Sequence, residues 1–200
     1  MSPRLSRRQR RRQALEERLR SRDLAGLRQL AAEDPNVLSG LVGLLNERDD
    51  LLRWRAIEAL GLLCAERVGQ GEDSMATVRD LVRRQLWSMN DESGNVAWHA
   101  AEALGEILHR VPPLADEFAH ILLQHLEMPI FRAGVLWAVG RLASARPELF
   151  REQAAELSPY LEDPDPLVRA HAAWALGELG SEVAPPKGTL FYDFDSGELR

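Results

Sequence analysis

Apolar positions recur along this chain with the period of a helix, and they do so four times in nearly the same words. The strings are "LLRWRAIEALGLL" from Leu51, "NVAWHAAEALGEI" from Asn95, "IFRAGVLWAVGRL" from Ile130 and "LVRAHAAWALGEL" from Leu167. Their glycines, Gly61, Gly105, Gly140 and Gly177, are spaced by 44, 35 and 37 residues, a range typical of helix-pair repeats. On a wheel of 100° per residue with the glycine as zero, positions −9, −5, −2, −1 and +2 share one face. Leu52, Ala56, Ala59, Leu60 and Leu63 occupy it in the first copy, and Val96, Ala100, Ala103, Leu104 and Ile107 in the second. The third has Phe131, Val135, Ala138, Val139 and Leu142, and the fourth Val168, Ala172, Ala175, Leu176 and Leu179. No polar residue interrupts the face in any copy. Burying it is worth roughly 5–10 kcal/mol per copy before entropy is subtracted.

A second amphipathic segment precedes each copy: "NVLSGLVGLLNE", "ATVRDLVRRQLWSM", "LADEFAHILLQHL" and "ELFREQAAELSPYL". Each ends in a turn rich in Asp, Asn, Glu or Pro, which supplies caps for the following helix. The unit is therefore helix, turn, helix. Stacking such units predicts an all-α chain, a right-handed α-solenoid of about four to five helix-pair repeats.

The string at Asp163–Gly180, D-x-D-x-x-V-R-x-x-A-A-x-A-L-G-x-L-G, resembles the HEAT-like repeat of the phycobilisome-lyase type. The second copy departs from it with Ala97 in place of Arg, and the third with Met128 and Pro129 in place of the acidic turn. The resemblance covers roughly residues 23–181 and implies a fold, since such repeats serve scaffolds, lyase subunits, hydroxylases and DNA-repair enzymes alike. The expected organisation is a basic N-terminal segment and capping helix at 1–22, the repeat domain at 23–181 and a C-terminal tail at 182–200.

Opposite the apolar face lie positions −7, −3, 0 and +4. Trp54, Glu58, Trp98, Glu102, His109, Trp137 and Trp174 stand there, so four of the five tryptophans fall on one nominally exposed wall. Trp is a favoured interface anchor, and monomers avoid large exposed apolar patches unless something binds them. A protein or peptide partner is the expected occupant. The competing readings are coverage by the chain's own termini, stacking of the indoles on one another, and a small-molecule pocket.

Arg53, Arg132 and Arg169 recur at −8. They form either an anion-binding row or, as the acidic turns favour, bonds to turn carboxylates such as Asp163 or Asp165. His99 and His171 share position −6 and read as flank residues at repeat interfaces. No His-Glu dipeptide, Gly-rich phosphate loop, nucleophile elbow or paired Cys motif occurs, so no catalytic residue, metal or cofactor is expected.

Charge narrows the partners. Residues 1–30 hold ten Arg against Glu16, Glu17 and Asp23, a net of +7, which leaves −13 on the remainder. That body disfavours nucleic acid, which needs a basic face. Only the head "PRLSRRQRRRQ" is suited to it, and such runs are commonly frayed, solvated termini. No stretch is apolar enough to span a membrane. One cysteine, Cys64, reads as a buried apolar residue and points to a reducing cytoplasm. The tail "TLFYDFDSGELR" alternates apolar and polar residues around Ser196-Gly197, predicting a hairpin or a docked extended segment. Together these features predict a non-catalytic interaction module. The alternatives are a lyase-like or chromophore-binding accessory protein and, disfavoured by the acidic body, an enzyme resembling the HEAT-like DNA glycosylases.

Overall fold

The computed structural model describes residues 6–90 and 98–200. Among them are ten α-helices: α1 Arg7–Arg20, α2 Leu24–Glu33, α3 Val37–Val42, α4 Asp50–Val68, α5 Glu72–Ser88, α6 Ala100–Arg110, α7 Pro112–Leu123, α8 Pro129–Ala143, α9 Ala154–Leu157 and α10 Pro166–Glu178. The four repeated strings fall on α4, α6, α8 and α10, which pack side by side in that order. Helices α5 and α7 each bridge two of them on one side.

All the apolar wheel positions that the structure describes are buried except Leu179, which is half-buried; Val96 lies outside the described residues. Small residues set how closely the helices approach. A Cβ on Gly105 would sit 2.6 Å from the Ala138 Cβ and 2.7 Å from its Cα, so α6 and α8 touch almost backbone to backbone. Gly61 receives the Glu106 side chain of α6, and Gly140 the Trp174 ring of α10. Gly177, the last in the series, faces the Val183 carbonyl instead of another helix.

Some predicted helices are shorter than their periodicity. In "NVLSGLVGLLNE" helix ends at Val42, where Gly40 and Gly43 weaken it. "ELFREQAAELSPYL" forms only α9 between short 3-10 turns, because Pro147 and Pro159 withhold the amide hydrogens an α-helix needs. The second copy becomes helical only at Ala100, after His99, which supplies no side-chain cap. Trp98 therefore stands in a turn rather than on the helix.

The basic head is not a free arm over its described length. Ser6 and Gln9 form a capping box, and α1 buries Leu15 and Leu19 against α3 and α4. Arg11 pairs with Asp34 at 2.5 Å, Arg12 with Glu16 and Glu47, and Arg20 with Asp49.

The tail is a hairpin. Strands β1 Tyr192–Asp193 and β2 Glu198–Leu199 pair antiparallel, Tyr192 opposite Leu199. Asp193 closes the turn by accepting the amides of Asp195 and Ser196. Gly197 has φ +72°, and a Cβ there would strike the Arg22 side chain at 2.2 Å.

Candidate functional site

The aromatic wall begins as helix-borne indoles. Trp54 on α4 and Trp137 on α8 have ring centroids 4.8 Å apart, and Trp137 lies 6.0 Å from Trp174 on α10. The two rings reach each other across α6, where Gly105 lies under the Trp137 ring. The hairpin then lies over this row. Tyr192 stacks on Trp54 at 5.9 Å, Phe194 lies 6.2 Å from Trp137, and Phe191 meets Trp174 edge-on at 5.3 Å. Arg141 sits over the Phe194 ring at 4.0 Å. Trp137 is left 1% exposed, Trp54 and Trp174 half-buried. Trp98, held off α6 by the late helix start, is 57% exposed.

The acidic members of the wall are buried too. Glu58 accepts two hydrogen bonds from Arg22, at 3.1 and 2.6 Å, and one from the Tyr192 hydroxyl at 2.7 Å. Arg22 reaches it from a left-handed turn, φ +49°, and also donates to the Phe194 and Asp195 carbonyls of the tail. Burial, then the hydrogen bond to the Glu58 carboxylate, pushes the Tyr192 phenol well above its ordinary range. Glu102 is buried, with one oxygen 3.0 Å from His99 Nδ1. His109 is half-buried, and burial with the charges of Arg141 and Arg110 lowers its pKa to about 4.

Removing the Tyr192 hydroxyl leaves part of a buried carboxylate unmet. Tyr192→Phe is expected to cost about 1–3 kcal/mol. A shifted urea midpoint with unchanged slope is the readout.

The arginine row has the same partner position in three repeats. Arg53 donates to the Glu47 carbonyl at 2.8 Å, Arg132 to that of Leu126 at 3.0 Å and Arg169 to that of Asp163 at 2.7 Å, each six residues back. Arg53 also pairs with Asp50 and Arg132 with Asp163. Asp165 does not meet Arg169; its carboxylate caps the Leu167 amide. Each of these arginines thus bonds to the turn ahead of its own helix.

Sequence reasoning missed the groups that bind the tail. Arg55 donates to the Gly197 carbonyl and to Glu198, and to the Leu19 and Arg20 carbonyls of α1. Glu106, fully buried, holds Arg110 and Arg141, the latter at 2.8 Å. Burial raises its pKa while the two guanidiniums oppose the rise. A partial signal was present for Arg55: it occupies position −6, next to Trp54 at −7, where His99 and His171 stand in two other copies.

His171 is buried, with Nδ1 2.8 Å from the Ala133 carbonyl, and burial depresses its pKa as well. For both His109 and His171 the unfolded chain takes up a proton before the folded one. Stability is therefore expected to fall as pH drops from 6.5 toward about 4. His109→Gln should flatten that part of a stability-against-pH curve.

Residues 129–179 match the HEAT-like repeat. They comprise α8 to α10, the part of the array under Phe191 and Phe194. HEAT-like repeats usually mediate protein interactions and the family is generally non-enzymatic. An uncharacterised protein of Archaeoglobus fulgidus is similar, 28% identical over 148 residues that cover 73% of this chain and 76% of that one. No solved structure matches the chain. Among the described residues, no helix is long and apolar enough to cross a membrane.

Proposed function

We propose that this protein is a non-catalytic interaction module that holds a protein partner on the flank of its repeat array where Trp98 projects. The carrying observation is the 57% exposure of Trp98 in a row whose other indoles are packed under the tail. Ile130 and Leu167, 38% and 47% exposed, stand near the starts of the next two repeat helices. A large indole left in water has the character of an interface anchor. In this reading Trp54, Trp137 and Trp174, with Glu58, Glu102 and His109, form the rigid bed beneath the partner and the tail.

We read the array as a right-handed solenoid of four to five units of the phycobilisome-lyase subtype, from the Asp163–Gly180 string. We place its partner in the cytoplasm, in keeping with a single Cys64 that is buried and whose thiol burial pushes up to about 12. In this reading the segments 1–22, 23–181 and 182–200 act as cap, array and clasp.

The test is affinity capture from native extract with the full chain and with Trp98→Ala. The exposed substitution should alter stability by less than about 0.5 kcal/mol. A protein retained by the first bait and lost with the second, at equal circular dichroism, supports the reading. Equal retention by both refutes it.

A further inference from the structure

The tail is held at its far end and loose along its middle. Phe191, Tyr192 and Phe194 lie on Trp174, Trp54 and Trp137, and the Tyr192 hydroxyl bonds Glu58. Arg22 and Arg55 hold the turn by the Phe194, Asp195 and Gly197 carbonyls. The connector between α10 and the hairpin, residues 182–190, makes no hydrogen bond to the array among the described residues; its own bonds run from Thr189 to Pro186. Most of it is exposed, Val183 by 36% and Leu190 by 62%. A firmly seated element thus hangs from an irregular, solvated hinge.

That hinge has little slack. It leaves α10 at Ser181, whose amide bonds the Leu176 carbonyl, and doubles back along the helix, since residues 187–190 line a cavity together with Pro166 and Leu167 at the helix start. From Leu167 to Glu178 the helix is about 17 Å long. Seven residues beyond Ser181 reach about 25 Å at most, and Pro185 and Pro186 stiffen the middle of the path. Cavities of about 520 and 260 Å3 remain between the returning tail and the array, so it does not seat flush. A short hinge forced to fold back favours exchange between copies, in which the same residues run on to a neighbour.

We propose that the tail is an exchangeable arm and that the partner it fits is a second copy of this chain. In the exchanged pair each hairpin lies on the other copy's indole row. Tyr192 of one copy bonds Glu58 of the other, and Arg22 and Arg55 receive the other copy's turn. The pair is two-fold and closed, because each copy offers the surface that it also fills. In the closed chain the hinge holds its own tail at an effective concentration on the order of millimolar. Dilute protein is therefore monomeric, and the exchanged form gains with concentration and with loss of hinge length. Trp98 lines neither cavity beside the tail, so Trp98→Ala leaves the exchange intact even where it abolishes partner capture.

Deleting residues 183–186 from the full chain leaves about 10 Å of hinge beyond Ser181, too little to retrace α10. Sedimentation velocity then finds a dimer at concentrations where the unaltered chain is a monomer, and hydrogen exchange finds the Phe191 and Arg200 amides protected in it. Adding Tyr192→Phe weakens that dimer by about fivefold or more, because the hydroxyl now bonds across copies. A monomer overturns the proposal whether or not its tail is protected, as does a dimer indifferent to Tyr192→Phe. Should the deletion fail to fold, the unaltered chain decides. Refolded at about 1 mM it yields a dimer that refolding at about 10 µM does not, and a short Gly-Ser insertion after Pro186 abolishes it. Equal yields at the two concentrations, or a dimer that survives the insertion, overturn the proposal.

Discussion

Trp137→Ala is expected to lower the stability of this protein by about 3–5 kcal/mol, the range for removing a large aromatic from a core. Trp137 is 1% exposed and contacts four separate pieces of structure. Its ring neighbours Trp54, Trp174 and Phe194, and its edge fills the space over Gly105. The cavity left behind cannot collapse easily, since α6 and α8 are already in near-backbone contact. The same change should loosen the tail, because Phe194 loses one of its two ring partners. Equilibrium denaturation gives the first quantity. Amide hydrogen exchange of Phe191 and Arg200, which exchange backbone hydrogen bonds at 2.7 and 2.9 Å across the hairpin, gives the second. A loss under about 1 kcal/mol would show that the indole row is not the keystone of the packing.

Gly105→Leu is expected to be comparably severe, about 3 kcal/mol or more, through overpacking rather than loss. Its Cβ would meet the Ala138 Cα at 2.7 Å, and a main-chain atom in a helix cannot swing aside. The contrast with Gly140→Leu makes the mechanism visible. There the nearest atoms to the Cβ belong to the Trp174 ring, at 2.7–3.0 Å, and a half-buried side chain yields more readily than a helix main chain. Thermal melts of the two variants should rank Gly105→Leu as the more damaging. The opposite order would mean that the α8–α10 contact, not α6–α8, limits the array.

The period of the sequence located the buried face because a wheel reports what each helix can hide against its nearest neighbours. It could not report what covers the other side. Glu58 and Tyr192 are 134 residues apart, and nothing local in either stretch announces the other. The wall was therefore expected to face solvent or a partner, whereas the hairpin occupies most of it, one of the alternatives raised from the sequence. Trp98 departs from its row for a local reason, since α6 starts at Ala100. The turn "NDESGN" ahead of it falls largely outside the described residues. The arginines at −8 were expected to bond turn carboxylates; what all three share is a backbone carbonyl six residues earlier, a partner that the side-chain pattern does not announce. Arg55 was not legible either, because its partners belong to both ends of the chain.

That last residue has a consequence for how the molecule comes apart. Arrays of stacked repeats ordinarily melt from their ends, each unit answering only to the one beside it. Here Arg55 and Arg22 grip a segment whose root lies beyond α10, so the first and last repeats share a fastening. Fraying at either terminus must release the other. The protein should therefore unfold in a single all-or-none step, with the hairpin acting as a measuring rod that fits an array of this length and no longer one.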